Sequence, residues 1–250
     1  MSFPVYTSLR RVAAGRSCPS GRRAQRGFTL LELSITLLVI GLLLGAVAVG
    51  RDLQRTAANQ RLSTDYVQGW QLAYETYLNG VGRPPGDSPT NPTGQVNGGA
   101  TPGTELCGTT MINAFLAAGI RLPEGRTEGQ PDRQVYLDSN GNPQEVQVCF
   151  RNVTWAEAGA SVGTYVQRPR NVMVLKSVTY SLASMLDQQI DGRSDARFGR
   201  LRDALYAGSN TEVNGQIWPI DDRMAYGTTT PSSRDESQVA VTTAYFLMTQ

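Results

Sequence analysis

The residue types that most often carry out chemistry are few in this sequence. Histidine is absent, so a Ser–His–Asp or Cys–His site would lack its imidazole base. The three cysteines, Cys18, Cys107 and Cys149, are too widely spaced for a zinc cluster. The only lysine is Lys176. We therefore predict no cofactor, and an enzyme is the least favoured class of function.

One carboxylate, Glu32, lies where a charge is costly. Residues 33–50 follow it, an 18-residue run without a charge that is long enough for a membrane helix. If the membrane segment begins at Phe28, Glu32 lies inside it, at a cost of about 2.5–3.5 kcal/mol on insertion scales. Such an acid normally has a partner and a role. The simpler interpretation places Glu32 at the lipid headgroups, without a role.

Two other carboxylates, Asp187 and Asp191, lie four residues apart near the end of a predicted helix. They are weak candidates for binding calcium or for acid–base chemistry, and a solvated helix end is the favoured interpretation. The segment 138–142 reads Asp-Ser-Asn-Gly-Asn but lacks the later Glu and the full spacing of a calcium loop. We interpret it as a turn and predict no metal centre.

Positive charge is concentrated at the N-terminus. Residues 1–27 contain six arginines and no acid, whereas the remainder has 17 of the 23 Lys and Arg residues against all 21 acids. A basic flank before an apolar run predicts that the N-terminus stays in the cytoplasm and that the C-terminal bulk lies outside. The mildly acidic remainder gives no reason to expect nucleic-acid binding.

Three ordinary interpretations of the N-terminal segment compete. A secretory signal peptide would explain Ala46-Val47-Ala48 as a cleavage site. However, the apolar region of a signal peptide spans only roughly 7–15 residues, which is shorter than the 18-residue run found here. A lipoprotein signal is excluded because Cys18 precedes the apolar run. An uncleaved signal anchor accounts for everything except Glu32 and the sequence RGFTLLE at 26–32.

The RGFTLLE sequence and the apolar run after it resemble the prepilin cleavage and methylation motif of type IV pilins and type II secretion pseudopilins. The resemblance implies that a prepilin peptidase cuts between Gly27 and Phe28 and methylates the new amino-terminus of Phe28. It also implies that Glu32, the fifth mature residue, acts in filament assembly. The cut removes all six leader arginines and creates an ammonium, which Glu32 of a neighbouring subunit can neutralise in a low-dielectric setting.

A long helix is predicted after the cut. Gly41 and Gly45 lie four apart in its apolar half, a spacing that permits close helix packing, although glycine is also common in membrane helices. Its second half is amphipathic, and we expect it to end near Asn79-Gly80. The apolar positions of that half are Leu53, Ala57, Leu62, Tyr66, Trp70, Ala73 and Tyr77.

The predicted fold class is α+β, with the long helix packed against a mainly antiparallel sheet. The expected segments are a cytoplasmic leader (1–27, removed), the transmembrane half of the helix (28–50), its amphipathic half (51–80) and an exported globular domain (81–250). The expected strands are 134–138, 144–150, 163–167, 172–175, 212–220 and 238–248. The expected short helices are 111–118, capped by Thr109 or Thr110, and 178–190, capped by Ser177. Asn140-Gly141 predicts a hairpin between the first two strands.

The cysteines suit an exported domain. Cys18 leaves with the leader, and Cys107 and Cys149 remain as an even pair in an oxidising compartment. A disulfide between them closes a loop of about 42 residues and stabilises the domain by roughly 4 kcal/mol. Two free thiols are the alternative.

The sequence therefore predicts a structural subunit of a type IV pilus or related filament, with a minor subunit as one form of that role. The alternatives are a type II secretion pseudopilin and a membrane-tethered adhesin or binding module with a ligand site in 84–105 or 193–235. Expected partners are prepilin peptidase, other pilin subunits, the inner-membrane assembly platform and, before assembly, membrane lipid. The expected location is the bacterial inner membrane, with one span and the C-terminal domain in the periplasm, and then a pilus or pseudopilus.

Overall fold

A computed structural model describes residues 28–99, 104–219 and 239–250. The chain forms two compact units, Met1–Val49 and Gly50–Gln250, which are considered separately. The described part of the first unit is almost entirely helical, because helix α1 begins at Leu30. Its residues up to 47 form an apolar helix, in agreement with the prediction from the uncharged run.

In the second unit the helix continues beyond the predicted stop. Helix α1 ends at Arg61, a π-helical segment covers Leu62–Val67, and helix α2 covers Gln68–Val81. The predicted end at Asn79-Gly80 is wrong by about two residues. Gly82 ends the helix instead, with a left-handed φ of 77° and an N–H that donates to the Leu78 carbonyl at 2.9 Å.

Six strands of the described residues form one sheet, the body of this unit. The elements after α2 are a 3₁₀ turn Val96–Gly99, β1 Leu106–Cys107, α3 Gly108–Ala117, β2 Arg133–Leu137, β3 Pro143–Ala158, β4 Tyr165–Thr179, α4 Tyr180–Asp191, β5 Leu201–Asp203 and β6 Val241–Leu247. The strands are joined in the order β1-β3-β4-β6-β5, β2 also pairs with β3, and every pairing is antiparallel. The α+β class is therefore confirmed.

The predicted hairpin is present between β2 and β3, with Leu137 opposite Pro143. Asp138 closes its turn, because one carboxylate oxygen accepts the N–H groups of Asn140 (2.9 Å) and Asn142 (2.8 Å). The interpretation of this segment as a turn is thus confirmed.

The strands after β3 differ from the predicted ones in number and in bounds. Residues 165–167 and 172–175 belong to one long strand, β4, and residues 163–164 precede it. Residues 212–219 form no strand, whereas the short strand β5 was not predicted. The 238–248 prediction corresponds to β6, and residue 238 lies outside the described residues.

Both predicted helix caps were also wrong. Cys107 occupies the N-cap position of α3, and Thr179 caps α4 by accepting the Leu182 N–H. Ser177 instead has a positive φ of 59° where the β4–β6 register shifts. The Tyr136 hydroxyl bridges this irregularity: it donates to the Ser177 carbonyl and accepts the Thr179 N–H.

Both faces of the sheet are buried. Strand β3 alternates, so that Val148 and Phe150 join the main core while Cys149 and Trp155 join a second cluster on the other face. The main core contains every helix position that the apolar spacing predicted from Leu62 onward, together with two that it did not, Val67 and Tyr74. The helix residues in it are Leu62, Tyr66, Val67, Trp70, Ala73, Tyr74 and Tyr77. The two predicted positions before Leu62, Leu53 and Ala57, are exposed.

The loop after α2 is an ordered structure around one buried acid. The Asp87 carboxylate accepts the N–H groups of Ser88, Thr93 and Gly94 at 2.8–3.1 Å. Burial alone would raise the pKa of Asp87, but these hydrogen bonds lower it below its usual value. Asn171 of β4 holds the same loop by accepting the Val96 N–H at 2.9 Å.

Candidate functional site: the N-terminal helix and the acidic end of α4

The start of α1 is fixed by its own sequence. Thr29 caps the helix, since its hydroxyl oxygen accepts the Glu32 N–H at 3.2 Å. Thr29 and Glu32 have the Thr-x-x-Glu spacing of a capping box, which places an acid in the first turn, where the helix dipole favours negative charge. Sequence reasoning missed the role of Thr29, although this spacing was the signal for it.

The helix after this cap has an apolar surface on every side. All described side chains from 28 to 47 are exposed. An apolar surface of this size is unfavourable in water, so it marks a site of contact with a membrane or another protein. The hydroxyls of Ser34 and Thr36 donate to the carbonyls of Leu31 and Leu33, both at 2.8 Å, so neither side chain needs water. Among the described helices, only this one is long and apolar enough to cross a membrane, over Leu30–Val47.

Comparison with known protein families identifies this segment. Residues 22–48 match the model of the prokaryotic N-terminal methylation motif. The chain carries the signature of type IV pilins and pseudopilins. No curated protein and no solved structure matches the chain significantly. The signature and the apolar helix fit a membrane-anchored pilin-like precursor, and they point to a structural subunit.

The residues expected to act within the pilin signature are open to solvent where the structure describes them. Phe28 is 76% exposed and Glu32 is exposed, while Gly27 lies outside the described residues. A Cβ added at Gly41 or Gly45 would meet nothing within 4 Å. The cut after Gly27, the methylation of Phe28, the assembly role of Glu32 and the packing role of Gly41 and Gly45 stay predictions.

The structure contains the predicted disulfide between Cys107 and Cys149. The two residues face each other on β1 and β3, with their Cα atoms 4.6 Å apart, inside the range that a bridge requires. Glu105 lies close to both sulfurs, but bonded sulfurs are not thiolate ligands, so this group is not a metal site.

The one lysine lies beside this bridge. Lys176 pairs with the Glu105 carboxylate, which also accepts from Arg151 at 3.3 Å. The Arg151 guanidinium lies over the Tyr245 ring, 5.6 Å from its centre. Sequence spacing gave no signal for this group, because its members come from three strands and from the segment before β1.

The acidic end of α4 is not the solvated helix end that the sequence favoured. Asp187 is fully buried, and one of its oxygens accepts the Trp218 indole N–H (2.8 Å) and the Asp195 N–H (2.6 Å). Burial is the main cause that raises the pKa of the Asp187 carboxyl above its ordinary value, and the nearby Asp191 carboxyl adds to it.

Asp191 also accepts backbone N–H groups with one carboxylate oxygen, Oδ2. Half-buried at the last position of α4, it accepts the N–H groups of Arg200 (2.7 Å) and Leu201 (3.1 Å). Asp195 and Trp218, the partners that the structure gives to Asp187, are ones that sequence reasoning missed.

Proposed function

We propose that this protein is a structural subunit of a type IV pilus or related filament, made as a precursor and assembled through its N-terminal helix. The observation that carries the proposal is a capped, wholly exposed apolar helix that begins inside the methylation motif, with Glu32 in its first turn. Such a helix needs lipid before assembly and other helices afterwards.

The proposed processing explains why an acid is tolerated there. Cleavage between Gly27 and Phe28 creates an amino-terminus four residues before Glu32, and N-methylation leaves it cationic. Glu32 then pairs with the amino-terminus of a neighbouring subunit in a low-dielectric environment, where such a pair is far stronger than in water. Gly41 and Gly45, with open space around them, supply a surface for close approach of another helix.

The same proposal assigns the chain segments. Residues 1–27 are the leader, 28–50 cross the inner membrane, 51–80 form the amphipathic half of the helix and 81–250 form the exported domain in the periplasm. Prepilin peptidase and the assembly platform are the expected partners. A structural rather than catalytic role is supported by the absence of histidine and by the engagement of Lys176 in an ion pair.

A type II secretion pseudopilin is the second candidate, because the motif serves both kinds of filament. A minor subunit is a variant of either role, and it suits an exported domain of this size. An adhesin with its site in the 84–105 loop is less well supported, since Asp87 and Asn171 already hold residues 88–96 in place.

The proposal is tested by the mass of the mature N-terminus. The chain is expressed in a host with a prepilin peptidase and in a matched strain without it, and the N-terminal peptide is analysed by mass spectrometry. We expect N-methylated Phe28 only when the peptidase is present. A start at Val49 identifies a secretory signal, and an unprocessed chain in both strains identifies a signal anchor; either result refutes the proposal.

A further inference from the structure

The two sulfurs of the Cys107–Cys149 bridge have different surroundings. Cys149 has no exposed surface and lies in an apolar cluster that includes Val153, Trp155 and Val174. Cys107 is only half-buried, at the N-cap position of α3. A molecule from outside the folded domain can therefore reach the Cys107 residue but not Cys149.

The surroundings of Cys107 also favour a thiolate when the bridge is open. The Lys176 ammonium lies 4.0 Å from the Cys107 sulfur, and the ten-residue helix α3 begins directly after Cys107. A neighbouring cation and a helix N-terminus both stabilise a thiolate relative to a thiol. The thiolate is the form of cysteine that attacks a disulfide.

One acid opposes this effect but is itself paired. A Glu105 carboxylate oxygen lies 3.6 Å from the Cys107 sulfur, and Glu105 forms ion pairs with both Lys176 and Arg151. The Arg151 guanidinium also donates to the neutral Tyr245 hydroxyl at 3.1 Å. Two cations against one anion leave a net positive charge beside Cys107, which favours the thiolate.

Cys149 is in the opposite situation. Burial among apolar side chains disfavours the charged form of a thiol, so Cys149 ionises less readily than Cys107. In the reduced, folded domain, Cys107 is therefore both the accessible sulfur and the more reactive one.

We propose that the bridge is formed by an external disulfide oxidant that reacts first at Cys107, with Lys176 stabilising the Cys107 thiolate. That thiolate attacks one sulfur of the oxidant and forms a mixed disulfide, and the other oxidant sulfur leaves as a thiolate. Cys149 then loses its proton to solvent and attacks the Cys107 sulfur, which expels the second oxidant thiolate. Two electrons pass from the cysteines to the oxidant, which takes up two protons and becomes two thiols.

The buried position of Cys149 has a consequence for each direction of exchange. The mixed disulfide on Cys107 should accumulate, because the step that resolves it requires Cys149 to ionise. A reducing thiol can attack only at Cys107 and must expel Cys149, a poor leaving group, so the finished bridge should resist reduction. The inference concerns the folded domain alone and is independent of the proposed filament role.

The test uses the full chain with Cys18→Ser, in which Cys107 and Cys149 are the remaining cysteines. The chain is purified in detergent micelles, reduced, freed of reductant and mixed with glutathione disulfide. Samples are quenched with acid at increasing times, and peptide mass mapping locates the glutathione adduct. The rate of adduct formation is measured from about pH 6 to about pH 9, on both sides of the range in which an ordinary thiol ionises.

We expect the first adduct on Cys107. Lys176→Gln should slow its formation about threefold near pH 7 and move the rise in rate to higher pH; the effect is modest because a less stabilised thiolate is a stronger nucleophile. Glu105→Gln should act in the opposite direction, since it removes the opposing anion. A merely structural role of the Lys176–Glu105 pair would change the rate in the same direction in both variants.

Arg126→Gln is the matched control, because it also removes a cation from an ion pair with a glutamate, but at Glu145. It should react like the otherwise unchanged chain. Adducts that form on Cys149 as early as on Cys107, including those of a reduced chain that does not fold, would overturn the proposal. A pH profile of Lys176→Gln that matches the unchanged chain would overturn the role of Lys176.

Discussion

At the residue scale, Glu32 has two distinct relations to its surroundings. Its backbone N–H belongs to the helix cap of Thr29, whereas its carboxylate is exposed at the start of a helix that has no other acid up to residue 47. The first relation is local and shapes the helix. In our proposal, the carboxylate is neutralised only when it pairs with the amino-terminus of another subunit.

Substitutions at Glu32 should separate these relations. Both Glu32→Gln and Glu32→Ala keep the backbone N–H that Thr29 caps. Glu32→Gln removes only the charge of the side chain, whereas Glu32→Ala removes its polar group altogether. We expect both variants to be processed at Gly27–Phe28 and to accumulate in the membrane, but to form no filaments. The measurement is the ratio of sheared surface filaments to processed subunit in the membrane.

An exposed glutamate outside the motif provides the control for this test. Glu128 lies in the loop between α3 and β2, and Glu128→Ala should assemble like the wild type. Wild-type filament yield from Glu32→Gln would show that the charge at this position has no role in assembly.

Local motifs could be predicted at this scale, but buried partners could not. The motif at residues 26–32 consists of seven consecutive positions, so it can be identified from the sequence alone. The burial of Asp187 depends on Trp218, which lies 31 residues later and donates to it across the fold. Nothing near Asp187 in the sequence distinguishes it from a solvated acid.

At the scale of elements, the amphipathic half of the helix is held by an aromatic core. Trp70 is fully buried, and its ring centre lies 5.7 Å from that of Phe115 and 6.1 Å from that of Phe150. Its indole N–H donates to the Pro131 carbonyl at 3.1 Å. One side chain thus joins α2 to α3, to β3 and to the loop before β2.

Truncation of Trp70 should therefore loosen the whole domain. We expect Trp70→Ala to lower the free energy of unfolding by about 3–5 kcal/mol, through lost burial, a cavity and an unpaired carbonyl. Leu72→Ala on the same helix, where Leu72 is 65% exposed, should change it by less than about 0.5 kcal/mol. Urea unfolding of the full chain in micelles measures both, and equal effects of the two substitutions would contradict this account of the core.

Elements with a strong local pattern were predictable, and those fixed by packing were not. The β2–β3 hairpin and helix α4 follow from an Asn-Gly turn and from helical spacing. The π segment Leu62–Val67 has no such signal. Leu62, Tyr66 and Trp70 are four residues apart, and on a regular α-helix each such step rotates the side chain by about 40° away from the previous one. The wider π-helical turn over Leu62–Val67 reduces this rotation, so the three side chains can face the same core.

At the scale of the whole molecule, the cysteines report on processing and location at the same time. Cys18 lies in the proposed leader, and Cys107 and Cys149 form a disulfide in the domain that we propose is exported. Disulfides persist in oxidising compartments and are rare in the cytoplasm. The number of free thiols in the precursor and in the mature chain therefore depends on whether the leader has been removed and whether the domain has reached an oxidising compartment.

Alkylation before reduction, followed by intact mass measurement, counts these thiols. We expect the precursor from a strain without prepilin peptidase to carry one alkyl group, on Cys18, and the mature chain to carry none. A cytoplasmic domain would give three in the precursor, because none of the cysteines would be oxidised. Two in the mature chain would mean that the leader is removed but the bridge does not form, which contradicts the proposed fate of Cys107 and Cys149. The Cys18→Ser precursor is the matched control: a count of zero in that variant assigns the single free thiol to the leader and the remaining pair to the bridge.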